Sequence, residues 1–264
     1  MRRFLFLAYG VVCHLLFLVV FAWLACFFGG WLVPNTIDGP ATGEPWPRAA
    51  AIDLALLGVF CLQHSVMARP AFKRHWTRLV PAPIERSTYV LASCLVTGLL
   101  IWQWRPIDLT IWHVSSATGR AAVWTVFGLG WLAVPGVSLL ISHFDLFGTR
   151  QVWLHWRGRD YEPLPFATPG AYRWVRHPLY VGWTIAFFAA PTMTAGHLLF
   201  AISMTAYMAA ASLLEERDLV EFYGEAYRRY RREVPAFVPR PCAATVSPVQ
   251  TSSDHQGAAS QSAA

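Results

Sequence analysis

Charge is what this chain has least of. Of its 264 residues, 14% are Asp, Glu, Lys or Arg, against about 25% in an ordinary soluble domain. Cysteine is sparse too: Cys13, Cys26, Cys61, Cys94 and Cys242 follow no repeated spacing, and four of them lie in apolar stretches. Free cysteine in such surroundings behaves as a small hydrophobe, so neither a disulfide framework nor a zinc site is indicated. No histidine pair has metal-ligand spacing with cysteine or carboxylate partners, and no metal is predicted. The net charge of +6 and pI near 9.3 call for no nucleic-acid partner, because cytoplasmic arginines beside anionic lipid headgroups account for them.

What is present is apolar: 55% hydrophobic residues and a mean hydropathy of +0.39. These values predict an all-α integral membrane protein in contact with membrane lipid. Crossing about 30 Å of hydrocarbon takes roughly 20 apolar residues, and four segments qualify, near 4–33, 49–67, 88–104 and 121–141. Arg2 and Arg3 ahead of the first also suit a signal peptide. That run is too long for an h-region and lacks a clear small-residue cleavage site, so an anchor is expected. Two further pieces, 181–190 and 197–214, joined by Pro191 to Gly196, read as a C-terminal helical hairpin whose first arm is short.

Charge asymmetry orients the set. With a cytoplasmic N-terminus, eighteen of the 21 Lys and Arg fall on the cytoplasmic side, leaving Arg48, Arg105 and Arg120 on the other. This positive-inside pattern requires the 181–214 hairpin to return to the side it left, and it puts both termini and the catalytic face in the cytoplasm, with a bacterial inner membrane as the expected location. The chain divides into a four-helix transmembrane mount, 1–142, a catalytic loop with hairpin and cytoplasmic helix, 143–240, and a small, polar tail, 241–264, expected to be disordered. Prolines and aromatics across 143–175 predict a folded cap rather than a tether, although Trp153, Trp156 and Trp174 singly suit an interfacial aromatic belt better.

The chemistry gathers at the hairpin ends. Arg176-His177-Pro178-Leu179-Tyr180-Val181-Gly182 opens the hairpin, and Glu215-Glu216 closes it. Polar groups at the ends of membrane-depth helices are costly unless they bind something. Together with Gly224-Glu225-Ala226-Tyr227-Arg228-Arg229-Tyr230 and Val234-Pro235, these residues resemble the C-terminal signature of the isoprenylcysteine carboxyl methyltransferase superfamily. Upstream, Ser142 to Gly148, Arg150-Gln151-Val152-Trp153 and Pro163-Leu164-Pro165-Phe166 resemble its methanethiol S-methyltransferase branch, over a stretch from the first helix to about Pro239.

That resemblance implies S-adenosylmethionine as methyl donor and a small thiol, methanethiol, as acceptor, with dimethyl sulfide as product; no obligate protein partner is implied. Pro178 suits the first turn of a helix, whose free backbone donors and positive dipole end face the donor's carboxylate, with Arg176 or His177 adding a contact. Leu179, Tyr180 and Gly182 complete that wall. Glu215 and Glu216 point about 100° apart, so one of them, with Glu216 preferred, accepts from the ribose or ammonium group. Tyr227 and Tyr230, three apart on one face of a continuing helix, either fold over the donor or lie at headgroup level. The thiol must lose its proton near pH 8.5. His143, Asp145 and Arg150 are the polar candidates, with Asp145 as base or orienter of His143 and Arg150 steadying the thiolate; Phe144, Phe147 and Trp183 are the expected chamber walls. Plain caps and interfacial histidines explain Asp145 and His143 equally well, and His64, His113 and His197 are read as structural.

A larger apolar acceptor, a prenylcysteine carboxylate or a lipid amine, is the enzymatic alternative. A non-catalytic transporter or accessory protein is the other. Against a transporter, the first four segments hold only Asp53, His14 and His64 as ionisable groups, near ends or isolated.

Overall fold

The computed structural model describes residues 1–239; the tail expected at 241–264 lies outside them, as does Cys242. In chain order the helices are α1 (Arg2–Gly29), α2 (Trp46–Ala68), α3 (Pro70–Trp76), α4 (Ala82–Gln103), α5 (Ala117–Ile141), α6 (His143–Leu146), α7 (Thr149–Trp156), α8 (Pro178–Phe188), α9 (Ala195–Tyr223) and α10 (Glu225–Glu233), with strands β1 (Thr110–His113) and β2 (Thr192–Thr194). Five of these helices, α1, α2, α4, α5 and α9, are long and apolar enough to cross a membrane. The protein is an all-α membrane protein, with one two-stranded antiparallel ribbon among the described residues.

The helix starts follow from local chemistry. Proline stands in the first turn of α2, α3, α4 and α8, where its missing N–H costs nothing and its fixed φ suits the helix. Ser116 and Thr194 cap α5 and α9 by accepting from the backbone N–H of Gly119 and His197. Apolar side chains from α1, α5, α8 and α9 meet in one core, with Phe27, Phe28, Trp131, Phe187 and Phe200 at its centre. α5 and α8 approach each other closely. A Cβ on Gly130 would lie 2.7 Å from the Ala186 backbone nitrogen, so only glycine lets the two backbones touch, as is usual where membrane helices pack tightly.

The hairpin differs from the sequence reading in two places. Its turn is not a plain break: β2 pairs with β1, with Thr110 opposite Thr194 and His113 opposite Thr192. The reason is length, since eleven residues of α8 rise only about 16 Å and the extended segment from Ala189 supplies the remaining depth. Non-helical backbone at that depth must be satisfied by protein. Trp112 Nε1 donates to the Ala190 carbonyl at 3.0 Å, Val114 N to Pro191 O at 2.8 Å, and His197 Nε2 to Phe187 O at 2.9 Å. Secondly, the last membrane helix does not end at Glu215-Glu216. α9 runs on to Tyr223 because Leu219, Val220 and Tyr223 pack on Phe166, Tyr227 and Tyr230; Gly224, at φ 59, then breaks the chain, so Tyr227 and Tyr230 stand on a separate helix.

Candidate active site

Arg176, His177 and Glu216 form the anchor of the hairpin's polar end. Glu216 Oε1 accepts from Arg176 Nε at 2.8 Å, Arg176 Nη2 at 2.7 Å and His177 Nε2 at 3.0 Å. Arg176 spends its remaining donor, Nη1, on the carbonyls of Arg231 and Val234, and the backbone N–H groups of Arg176 and His177 donate to Pro235 and Ala236. The segment after α10 is thereby stitched to the start of α8. Glu215 behaves differently. Its Oε2 accepts from the Tyr180 hydroxyl at 2.9 Å, the Tyr180 ring stacks on His177, and the Glu215 side chain is 44% exposed where that of Glu216 is 9%. The glutamate that opens outward is therefore Glu215, whereas the sequence favoured Glu216.

Glu215 and Tyr180 face a pocket of about 260 Å³. Its other wall comes from the mount: His64, Arg69, Arg86 and Tyr89, on or beside α2 and α4. Sequence reasoning set His64 aside as structural and did not single out Arg69, Arg86 or Tyr89. The available signal was an ionisable residue inside an apolar helix.

The remaining expected residues divide. Pro178 is buried at the start of α8 with Leu179 half-buried beside it, while Gly182 packs toward α5, where a Cβ would lie 3.3 Å from Ala133 Cβ. Tyr227 and Tyr230 are buried with Phe166, and the Tyr230 hydroxyl donates to Tyr172 O at 2.6 Å. Burial raises both phenols above the ordinary tyrosine value, with the Glu216 charge adding for Tyr227 and Tyr227 itself adding for Tyr230.

The cap residues form two further groups. Asp145 is closed off: Arg150 Nη1 donates to it at 2.9 Å and the Tyr161 hydroxyl at 3.3 Å, while the same Arg150 nitrogen reaches Glu162 O at 3.0 Å. His143 lies apart from that ion pair. Its Nε2 is 3.1 Å from His14 Nε2, and its Nδ1 is 2.8 Å from Ser138 Oγ; burial, then the His14 charge, hold its pKa below the ordinary histidine value. His14 in turn meets Thr149 Oγ1 at 2.7 Å, a member that the sequence did not suggest. Phe144 is exposed beside His14. Phe147 stacks on Phe17 at 3.9 Å, and Phe17 continues through Phe21 to Trp183, so an aromatic row leads from the cap into the bundle. Among the described residues no three His, Cys, Asp or Glu side chains converge as a metal site would need.

Comparison with known proteins bears on what such an arrangement serves. A methanethiol S-methyltransferase of Mycobacterium tuberculosis is 50% identical over 241 residues, 91% of this chain and 98% of the relative. One of Crocosphaera subtropica is 48% identical over 239 residues, covering 90% and 93%. The chain belongs to the methanethiol S-methyltransferase family. A more distant relative, a nurim homologue of Drosophila pseudoobscura, is 31% identical over 209 residues, 76% of this chain and 82% of its own. No family model matches the chain, and no solved structure does.

Proposed function

We propose that the protein methylates methanethiol to dimethyl sulfide with S-adenosylmethionine as donor, at the cytoplasmic face of a bacterial inner membrane with both termini inside. The observation that carries this is the divided glutamate pair. Glu216 is spent inside on Arg176 and His177, which leaves Glu215 as a carboxylate at the mouth of a pocket walled by aromatic rings.

The residues fit the donor. A sulfonium with an ammonium group seeks carboxylate and aromatic faces, which Glu215, Tyr180 and Tyr89 offer, and its carboxylate seeks cations, which Arg86 and Arg69 offer from the opposite wall. When bound, the donor supplies an electrophilic methyl group. The chain's own part is alignment and exclusion of water. Arg176, His177, Pro178 and Glu216 fix the start of α8; Leu179, Gly182, Tyr227 and Tyr230 hold that wall in place. In the cap, Asp145 and Arg150 brace the loop beside His143, and Phe144, Phe147 and Trp183 narrow the acceptor's chamber.

Methanethiol offers little surface, and at about 25 cal/mol per Å² its burial contributes only a few kcal/mol. Selectivity then rests on excluding longer chains. Purified protein in detergent, given labelled S-adenosylmethionine and a thiol series, should form dimethyl sulfide and lose activity steeply from methanethiol to propanethiol. Faster methylation of a farnesylated cysteine would overturn the small-thiol reading.

A further inference from the structure

The thiol must give up a proton, and the groups nearest the cap are already committed. Asp145 is held by Arg150 and Tyr161, and both ring nitrogens of His143 have partners. In the pocket, the Tyr180 hydroxyl is spent on Glu215. Tyr89 and His64 remain.

The contacts around His64 point to one tautomer. The Ser93 hydroxyl donates to the Tyr89 carbonyl at 3.1 Å, so its oxygen is left to accept from His64 Nδ1 at 3.4 Å. The tautomer of a neutral histidine is set by such a partner. The Tyr89 hydroxyl lies over the imidazole, 2.9 Å from Nε2 and 3.0 Å from Nδ1; with the proton on Nδ1, Nε2 is the nitrogen left to take another. Tyr89 Oη therefore has a base behind it and the pocket in front. The Arg86 guanidinium lies 5.1 Å from the ring's centre, and Tyr89 belongs to one packed cluster with Val90, Cys94 and Phe147. Phe147 thus joins this wall to the aromatic row.

We propose that Tyr89 and His64 carry away the thiol proton. As the thiol S–H bond breaks, its proton passes to Tyr89 Oη and the phenol's own proton passes to His64 Nε2. The sulfur electron pair forms the new bond to the methyl of a methylsulfonium donor, and that methyl's old bond leaves with the donor sulfur as a neutral thioether. Tyr89 is the catalytic residue and His64 the positioning residue that receives the proton. Other ionisable groups face the same space: Arg69 from the end of α2, Arg86 from α4, Tyr180 from α8, and Tyr207, Glu215 and Asp218 from α9. Arg69 is paired with Asp218 at 2.8 Å, and the Tyr207 hydroxyl is bonded to Ser65 at 2.9 Å.

This step rests on the small-thiol reading, so the test separates the two. Nitrogen NMR of ring-labelled histidine, assigned with His64→Gln and recorded without donor, should show His64 neutral with its proton on Nδ1, and Tyr89→Phe should shift that signal. In turnover, Tyr89→Phe and His64→Gln should each lower kcat/KM for methanethiol by about 100-fold near neutral pH, the usual worth of a general base, and should lower it far less for the more acidic trifluoroethanethiol. The wild-type rate should level off above the point where His64 gives up its proton and fall below it, whereas the variants, left to the free thiolate, should rise about tenfold per pH unit towards the thiol's own pKa. Equal losses with both thiols, an unchanged acid limb, or a His64 proton on Nε2 would overturn the proposal. A wild-type protein that forms no dimethyl sulfide from methanethiol would overturn the functional reading itself, whatever the tautomer.

Discussion

Replacing each glutamate of the adjacent pair should separate stability from donor binding. Glu216 Oε1 takes three donors from two cationic or polar side chains, at 2.8, 2.7 and 3.0 Å, with the Arg176 and Glu216 side chains 12% and 9% exposed. Removing one partner of a buried ion pair costs about 3–5 kcal/mol, because the other charge is left without compensation. Arg176 keeps only its two backbone carbonyl partners, so Glu216→Ala belongs in that range. Glu215→Ala removes one hydrogen bond, from Tyr180, at a half-exposed position, which costs about 1 kcal/mol. Its effect on donor affinity should be the larger one, at least tenfold or about 1.4 kcal/mol, as befits a lost charge-assisted contact. Reversible unfolding in mixed micelles and calorimetric titration with S-adenosylmethionine read the two effects separately. If Glu215→Ala proves more destabilising than Glu216→Ala, or if Glu216→Ala leaves the unfolding free energy unchanged, the division of labour between the two carboxylates is wrong.

Two more outcomes follow from particular contacts. Gly130→Ala would set a methyl 2.7 Å from backbone on α8, while Gly128 has nothing within 4 Å of its position; unfolding measurements should show a loss of about 1–3 kcal/mol for the first, as overpacking brings, and almost none for Gly128→Ala. His143 has a folded pKa depressed first by burial and then by His14, so its contribution to stability is present above the ordinary value of about 6.5 and is lost as pH falls through the folded pKa. Unfolding followed across that window should give a shallower acid decline for His143→Asn; identical slopes would remove His143 from the account.

The sequence exposed what repeats along one helix or sits at its end. The apolar runs located the cores of the five long helices but not all their ends, since α4 begins six residues before its run and α9 runs nine beyond its own; Arg176-His177-Pro178 and Glu215-Glu216 could be placed at one membrane level because both flank the hairpin. Which glutamate faces the pocket was not legible, since a 100° step leaves either possible; the pairing of Glu216 with Arg176 and His177 decides it. Tyr89 and His64 were missed for a related reason. His64 stood out only as a lone ionisable group in an apolar run and Tyr89 not at all, and only the contact between α2 and α4, 25 positions apart in the chain, makes them a pair. β2 was hidden because three residues at a turn carry no periodicity, and its partner lies in the link between α4 and α5.

That hidden ribbon bears on the site at the other end of the hairpin. From Ala195 to Glu216 α9 rises about 31 Å, roughly twice the reach of α8, so His177 can stand level with Glu216 only if the segment between the helices stays extended. The extension is fixed by groups remote from the pocket: Asp38 Oδ1 accepts from the Thr194 hydroxyl at 2.7 Å, and Asp38 Oδ2 lies 2.8 Å from Nδ1 of the buried His197. A carbonyl has no proton to give, so His197 donates through Nε2 to Phe187 O and holds the last turn of α8 against the first turn of α9. The register between Arg176, His177 and Glu216 is therefore set from both ends of the hairpin, by the Asp38–His197 clamp on one side of the membrane and by the Glu216 anchor on the other. Histidines that take no part in the chemistry still decide where it happens.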